Sequence, residues 1–371
     1  MATHKTLSKV NLTPPESRAR PQNKMTLLQK ARQRYFSNLL NSFLTLSVII
    51  AFILILPPLL QWAIFDAVFI GSTQEACEVA AGACWLPIAA RFDLFVYGFY
   101  PETETWRVNL VFAASFFTLV VLVWRRISMK LKLVYIVAFL PALIFVLLYG
   151  GVFGLDSVSS NKFGGLIITI FLGLIGSILS LPLGIFLALG RRSTRPVIRI
   201  FCVSVIELFR AMPMITWLFM GALVLQLFLP NGMEVDKMIR VVFILVLVSA
   251  ASKAEIIRAG LQAIPVGQFE ASAALGVGYW RTMSMVIMPQ VLKVSIPAML
   301  NSFIGMFKDT SLVAIIGLLD FLSVGMATMN SDEWGKYGIE VYIFVAMIYF
   351  VILFTISRFS LTLEKQLETG H

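Results

Sequence analysis

The chain has 371 residues, of which 58% are hydrophobic and 13% charged. A soluble protein of this size has no interior large enough for so much apolar surface, so lipid must be the solvent for much of it. The formal charge of +10 raises nucleic acid as a partner, but the placement of the basic residues along the chain excludes it.

Residues 1–38 are polar and basic, rich in Lys, Arg, Pro, Ser and Gln, and read as a disordered cytoplasmic tail. The tail is no cleavable signal, because the apolar run after it is too long for a signal core. Eight runs reach the ~20 apolar residues a spanning helix needs: 39–64, 107–124, 133–152, 163–190, 211–229, 239–257, 294–317 and 339–358. With the N-terminus inside, the outer loops hold only Arg91, Lys162, Lys237 and Lys336 of the 30 Lys and Arg, while most lie in or border inner segments. That asymmetry is the positive-inside rule. The basic charge sets topology, and both termini are expected in the cytoplasm. The implied fold class is all-α, a polytopic membrane bundle of about eight helices.

The first part, 39–155, holds three spans and an outer loop, 65–106. The alternation of aromatic and polar residues over Phe92–Tyr100 suggests a structured cap or interfacial lid. Cys77 and Cys84 share this loop, where a bridge can form in an oxidising compartment. Cys202 falls on the inner side and reads as inert. With two His, both at the chain ends, and no ligand spacing, no metal site is expected. The stretch GLDSVSSNKFGG looks like an outer turn into the second part, 156–371.

The span 163–190 carries glycines and serines that permit close helix contacts, and Pro182 is expected to bend it. Arg191-Arg192 fix its exit inside. RPVIRIFCVSVIELFRAMP then alternates basic and apolar residues at helical spacing, as a helix lying at the inner surface before turning into the bilayer does. Between the sixth and seventh spans lies a cytoplasmic segment, 258–289. Glu270 to Leu275 suit a short helix, Gly276 and Gly278 a turn, and Arg281 to Ile287 a second helix stopped by Pro289. Small side chains at its tip suit close approach to another protein. By spacing alone, a plain loop accounts for it equally well.

Four charges lie near or within spans: Glu207, Arg210, Lys308 and Asp309. A charge at mid-bilayer costs ~2.5–3.5 kcal/mol on insertion scales, so it needs a partner or a role. Glu207 and Arg210, at i,i+3, suit either a surface ion pair or a substrate gate. Lys308 and Asp309 sit deep in the seventh span and suit a pathway role or an interhelical structural pair. Thr310 and Ser311 follow, ready to bond backbone groups if the helix unwinds around a cavity.

The segment 258–289 resembles the EAA loop of permease subunits of ABC importers. Glu270, Ala271, Gly276 and Pro289 fall at the pattern's places, with Ser272, Val286 and Met288 replacing Ala, Ile and Leu. ELFRAMPM (Glu207–Met214), FKDTSLVAIIG (Phe307–Gly317) and AEIIRAGLQAIPVGQFEAS (Ala254–Ser272) resemble segments of the polar amino acid permeases. The resemblance covers about residues 160–365. The three added N-terminal spans are similar to those of the larger permease of the general L-amino acid uptake systems of Gram-negative bacteria.

The resemblance implies a non-enzymatic permease subunit of the bacterial inner membrane that takes up L-amino acids. Glu270, Ala271 and Gly276 would face the ATPase. Two ATPase subunits, a second and different homologous permease, and a periplasmic amino acid binding protein would complete the importer. ATP and Mg would bind the ATPase, leaving this chain without a cofactor. Consistently, Gly335-Lys336 precedes Tyr337 in an outer segment and is no phosphate loop. For an amino acid zwitterion, Asp309 or Glu207 would take the ammonium, and Arg210, Lys308, Thr310 or Ser311 the carboxylate. An ion-driven carrier using Asp309 or Glu207 is the alternative, and a channel or assembly protein a third. The carrier class usually shows internal repeats, and none is visible.

Overall fold

The computed structural model describes residues 26–71, 74–79, 81–124, 126–230 and 232–368. Residues 1–25 of the expected tail lie outside the described residues. Two compact units form, Met1–Asp66 and Ala67–His371, each with its own logic.

In the first unit, residues 26–35 depart from the disordered tail read from sequence. Helix α1 (Leu27–Tyr35) forms there because Thr26 and Gln29 make a reciprocal capping box, satisfying two orphan amides. Helix α2 (Leu39–Leu60) starts where the Asn38 side chain accepts from the Asn41 amide at 2.8 Å. It passes through Pro57 and Pro58 into a π-helical turn, Gln61–Phe65.

The second unit is all helical, with no strand among the described residues. Its long elements are α3 (Thr105–Val123), α4 (Leu131–Tyr149), α5 (Leu166–Arg191), α6 (Pro196–Ala211), α7 (Met214–Leu227), α8 (Lys237–Ala263), α9 (Val266–Ala274), α10 (Tyr279–Ile316), α11 (Phe321–Met329) and α12 (Gly338–Glu368). Among the described residues six helices are long and apolar enough to cross a membrane, or seven if α6 and α7, bent by 106° at their junction, count as one. The one expected span not in this set, the sixth, corresponds to α8, whose 27 residues reach ~40 Å. Its charges Lys237, Arg240, Lys253, Glu255 and Arg258 keep it out of that set. The bend between α6 and α7 fits the expected surface helix turning into the bilayer, with Pro213 unable to continue α6.

Helix α5 is the hub. Ile168, Phe171, Leu172 and Ile175 are fully buried, and its glycines let neighbours come close. A Cβ on Gly176 would overlap the Met306 side chain, and one on Gly184 would press on Lys253 and the Ala250 carbonyl. Pro182 lies inside α5 without interrupting it.

The loop 65–106 is a structured cap, as its aromatic pattern suggests. Phe95 is fully buried against Phe321 and Phe344, with ring centroids 5.5 and 5.3 Å apart. Cys77 and Cys84 form a disulfide packed on Leu86 and Trp334. The Cys84 amide donates to Glu340 at 3.1 Å, and Lys336 pairs with Glu78 at 3.1 Å. The cap is thereby pinned to the start of α12.

Two local expectations are corrected. Pro289 does not stop a second short helix: α10 runs on from Tyr279 to Ile316. A π-helical turn over Thr282–Ile287 precedes the proline, and its wider ring leaves room for the pyrrolidine. At Thr310 and Ser311 the helix does not unwind but tightens to a 3₁₀ helix, Thr310–Ile316. The Thr310 hydroxyl donates to the Phe307 carbonyl at 2.7 Å and Ser311 to Lys308 at 2.8 Å, so both are used by the backbone. Gly317, at φ 75°, then ends the run.

Candidate functional site

A cleft of about 490 Å³ opens where the end of α6, the start of α7 and the middles of α8 and α10 meet. Its polar lining is Arg210, Ser249, Ser252, Glu255, Ser302 and Asp309, with Met214, Ile256 and Met306 among the apolar walls. Arg210 reaches it because α6 ends one residue later, and Pro213 turns the chain there. Asp309 reaches it as the last α-helical residue before the 3₁₀ segment.

Two residues singled out from sequence are thus brought together, Arg210 and Asp309. Neither makes an ion pair among the described residues, so a guanidinium and a carboxylate both stay available to a ligand. Lys308 does not join them. One residue earlier on a helix is about 100° round the axis, and Lys308 is exposed, with no ion pair among the described residues. Thr310 is buried beneath its own backbone bond, and Ser311 also stays off the cleft.

Glu207 does not pair with Arg210. It is bound to Arg191, at 3.1 Å, and Arg191 also holds Glu255 at 2.6 Å. Glu255 in turn takes Arg258 at 2.8 Å. The result is a four-residue charge ladder across α6, α5 and α8, with Glu255 as its best-buried member. Arg191 displaces Arg210 because it ends α5 between α6 and α8, where both carboxylates are in reach. Flanked by two arginines, Glu255 adds little net negative charge to the cleft.

Sequence reasoning missed Arg191, Glu255 and Arg258 as a cluster. The i,i+3 spacing of Glu255 and Arg258 was a signal, whereas the role of Arg191 needed the α5–α8 packing. It also missed Lys253, only 3% exposed. The Lys253 ammonium donates to the Ser249 hydroxyl at 2.6 Å. Ser249 lies 3.1 Å from Ser180, which reaches the Ser177 carbonyl at 2.9 Å. No carboxylate meets this cation among the described residues, and the bare Gly184 backbone makes the room for it.

At the other end of α8 lies the second candidate. Helix α9 follows Pro265 and closes at Leu275, whose amide donates to Ala271 at 3.1 Å. Gly276 takes φ 68° with open space around it, a backbone state that suits glycine. Glu270, Ala271 and Gly276 are all exposed, beside Leu275 at 81%. Ser272, where the resemblance expects Ala, turns inward and donates to the Gln268 carbonyl at 2.9 Å. Phe269 packs toward the α5–α8 core under the Arg192 guanidinium, 5.8 Å from its ring. One side of α9 is anchored, and the other presents an acid, small residues and a leucine.

Comparison with known proteins bears on both features. The family described as binding-protein-dependent transport system inner membrane component matches residues 180–364, which contain the cleft and α9. The "Inner membrane amino-acid ABC transporter permease protein YhdY" of Escherichia coli (strain K12) is 42% identical over 368 residues, 98% of this chain and 99% of that one. The "Glutamate/glutamine/aspartate/asparagine transport system permease protein BztC" of Rhodobacter capsulatus is 34% identical, covering 95% and 96%. A solved structure, "Crystal structure of an amino acid ABC transporter with histidines", covers 54% of this chain and 92% of its own at 34% identity, with a TM-score of 0.49. The full-length matches extend the likeness through the three N-terminal helices. The chain belongs to the family of binding-protein-dependent transport system inner membrane components, as a multi-pass inner-membrane subunit that works with other ABC transporter components.

Proposed function

We propose that the chain is the permease subunit of an ATP-driven importer of L-amino acids, coupled to a separate ATPase through α9. The observation that carries the reading is the exposed surface of α9 and the turn after it, where Glu270 and Ala271 on an anchored helix are followed by Gly276. Such a face is rigid enough to transmit a push, and its small side chains admit close approach. The relatives' names, which specify amino acids, support the cargo class.

In this reading the complete importer holds two ATPase subunits, a second and different homologous permease, and a periplasmic amino acid binding protein. ATP and Mg sit on the ATPases. Both termini and α9 are cytoplasmic, and the disulfide-bearing cap is periplasmic, in line with the charge asymmetry of the loops. Arg210 and Asp309 mark the substrate route. The guanidinium fork suits a carboxylate and the Asp309 carboxylate an ammonium, so a zwitterion crossing the cleft would exchange water for two charge-assisted bonds. Lys308, Glu207, Thr310 and Ser311 act around that route rather than on it.

The test is the energy source. Vesicles holding the assembled complex and binding protein should accumulate amino acid when ATP is supplied on the ATPase side, and not with an ion gradient alone. Accumulation on a gradient without ATP would replace this reading with an ion-driven carrier.

A further inference from the structure

Beside the junction of α5 and α6 lies a groove of about 770 Å³ that plays no part in the cleft or the exposed face of α9. Phe186, Val197 and Phe201 supply apolar walls, all exposed. Arg192, Arg195 and Trp280 also line it. The lining contains no acidic residue, so both guanidinium charges are uncompensated within the groove.

The groove is built rather than incidental. Its floor forms where Gly190 lets Cys202 approach: a Cβ there would overlap the Cys202 sulfur, so only glycine allows this closeness. The Arg192 guanidinium lies over the Phe269 ring, 5.8 Å from its centroid, a contact that favours this position and so lowers the entropy lost on binding an anion. Apolar walls that share one groove with two arginines and an indole match one kind of molecule. Acyl chains fit the walls and a phosphate fits the arginines, which bind phosphate with paired N–H donors.

We infer that this groove is a binding site for an anionic phospholipid, with its phosphate on Arg192 and Arg195 and its chains along Phe186, Val197 and Phe201. On the orientation proposed above, the lipid comes from the inner leaflet. The inference rests on that orientation but not on the coupling role of α9. A lipid seated here ties α5 to α6, the two helices that carry Arg191 and Glu207 of the charge ladder.

The experiment uses the complex assembled with its ATPase in nanodiscs of phosphatidylcholine. Brominated phosphatidylglycerol or brominated phosphatidylcholine is added at equal mole fraction, and quenching of Trp280 is read by difference against Trp280→Phe. A basic residue at a membrane surface strengthens attraction of an anionic lipid about five-fold, so the two arginines should give a preference of roughly ten-fold or more for phosphatidylglycerol. Arg192→Gln/Arg195→Gln should abolish the preference, and Arg192→Lys/Arg195→Lys should keep a good part of it, which separates lost charge from lost folding. Equal quenching by the two lipids would overturn the inference, as would a preference that survives the double Gln change. So would displacement by inorganic phosphate alone, which would mark a soluble-anion site. A preference seen only after the ATPase is removed would mean that the groove belongs to the ATPase contact instead.

Discussion

Asp309 and Arg210 face the same cleft, and neither has an ion-pair partner among the described residues. Asp309→Asn keeps volume and hydrogen-bonding capacity while removing the charge. A hydrogen bond to a charged group contributes about 1.5–3 kcal/mol, so uptake per assembled complex should fall about ten-fold or more while recovery of the complex is unchanged. Because Lys308 does not pair with Asp309, neutralising both should not restore transport; restoration would return the two to a structural pair. Lys253 argues the opposite way. A buried cation served by one hydroxyl costs desolvation that nothing nearby offsets, so Lys253→Met should raise the melting temperature of the complex. A fall would show that the ammonium is structurally required. Arg210 and Asp309 could be singled out in the sequence because charges inside apolar runs need a reason. The true partner of Glu207 could not, since i,i+3 spacing says nothing of a third residue arriving from another helix.

At the level of elements, the departures from expectation come from helix tightness. Pro289 reads as a stop in sequence, yet the π-helical turn before it lets α10 continue. Thr310 and Ser311 read as ready to bond backbone groups of an unwound helix, and their hydroxyls do bond carbonyls, but those of a tighter one. Both outcomes turn on how the preceding backbone adjusts, which residue types alone leave open. The cap is a different case, because its aromatic pattern and two cysteines were enough to suggest order. A disulfide closing so short a loop stabilises by about 2–3 kcal/mol in the chain-entropy model. Cys77→Ser/Cys84→Ser should therefore loosen the contact with Trp334 and Glu340, read as faster amide exchange at Cys84's position and the start of α12. Unchanged exchange would show that packing on Trp334 suffices. Membrane-impermeant thiol reagents should also reach both cysteines of the parent chain after reduction in intact spheroplasts; labelling only after permeabilisation would invert the orientation.

For the whole molecule, the loop charges and the apolar runs already specify a bundle of about eight membrane helices, and the structure supplies its centre. Helix α5 packs on α8 through glycines, and that closeness brings Arg191 to Glu255 and opens the cleft beside them. The sequence showed the small residues but not which helix they meet. The claim that unites the cleft and α9 is that an ATPase acts on this chain through Glu270, Ala271 and Gly276. Glu270→Lys tests it most directly, since it puts a cation on the one acidic point of an otherwise small-residue face and touches no buried group. The measurement is ATPase recovered with the purified chain, together with ATP-driven uptake per inserted chain. The expected result is normal membrane insertion with uptake reduced at least ten-fold and the ATPase lost or uncoupled; normal recovery with normal uptake would contradict the coupling role.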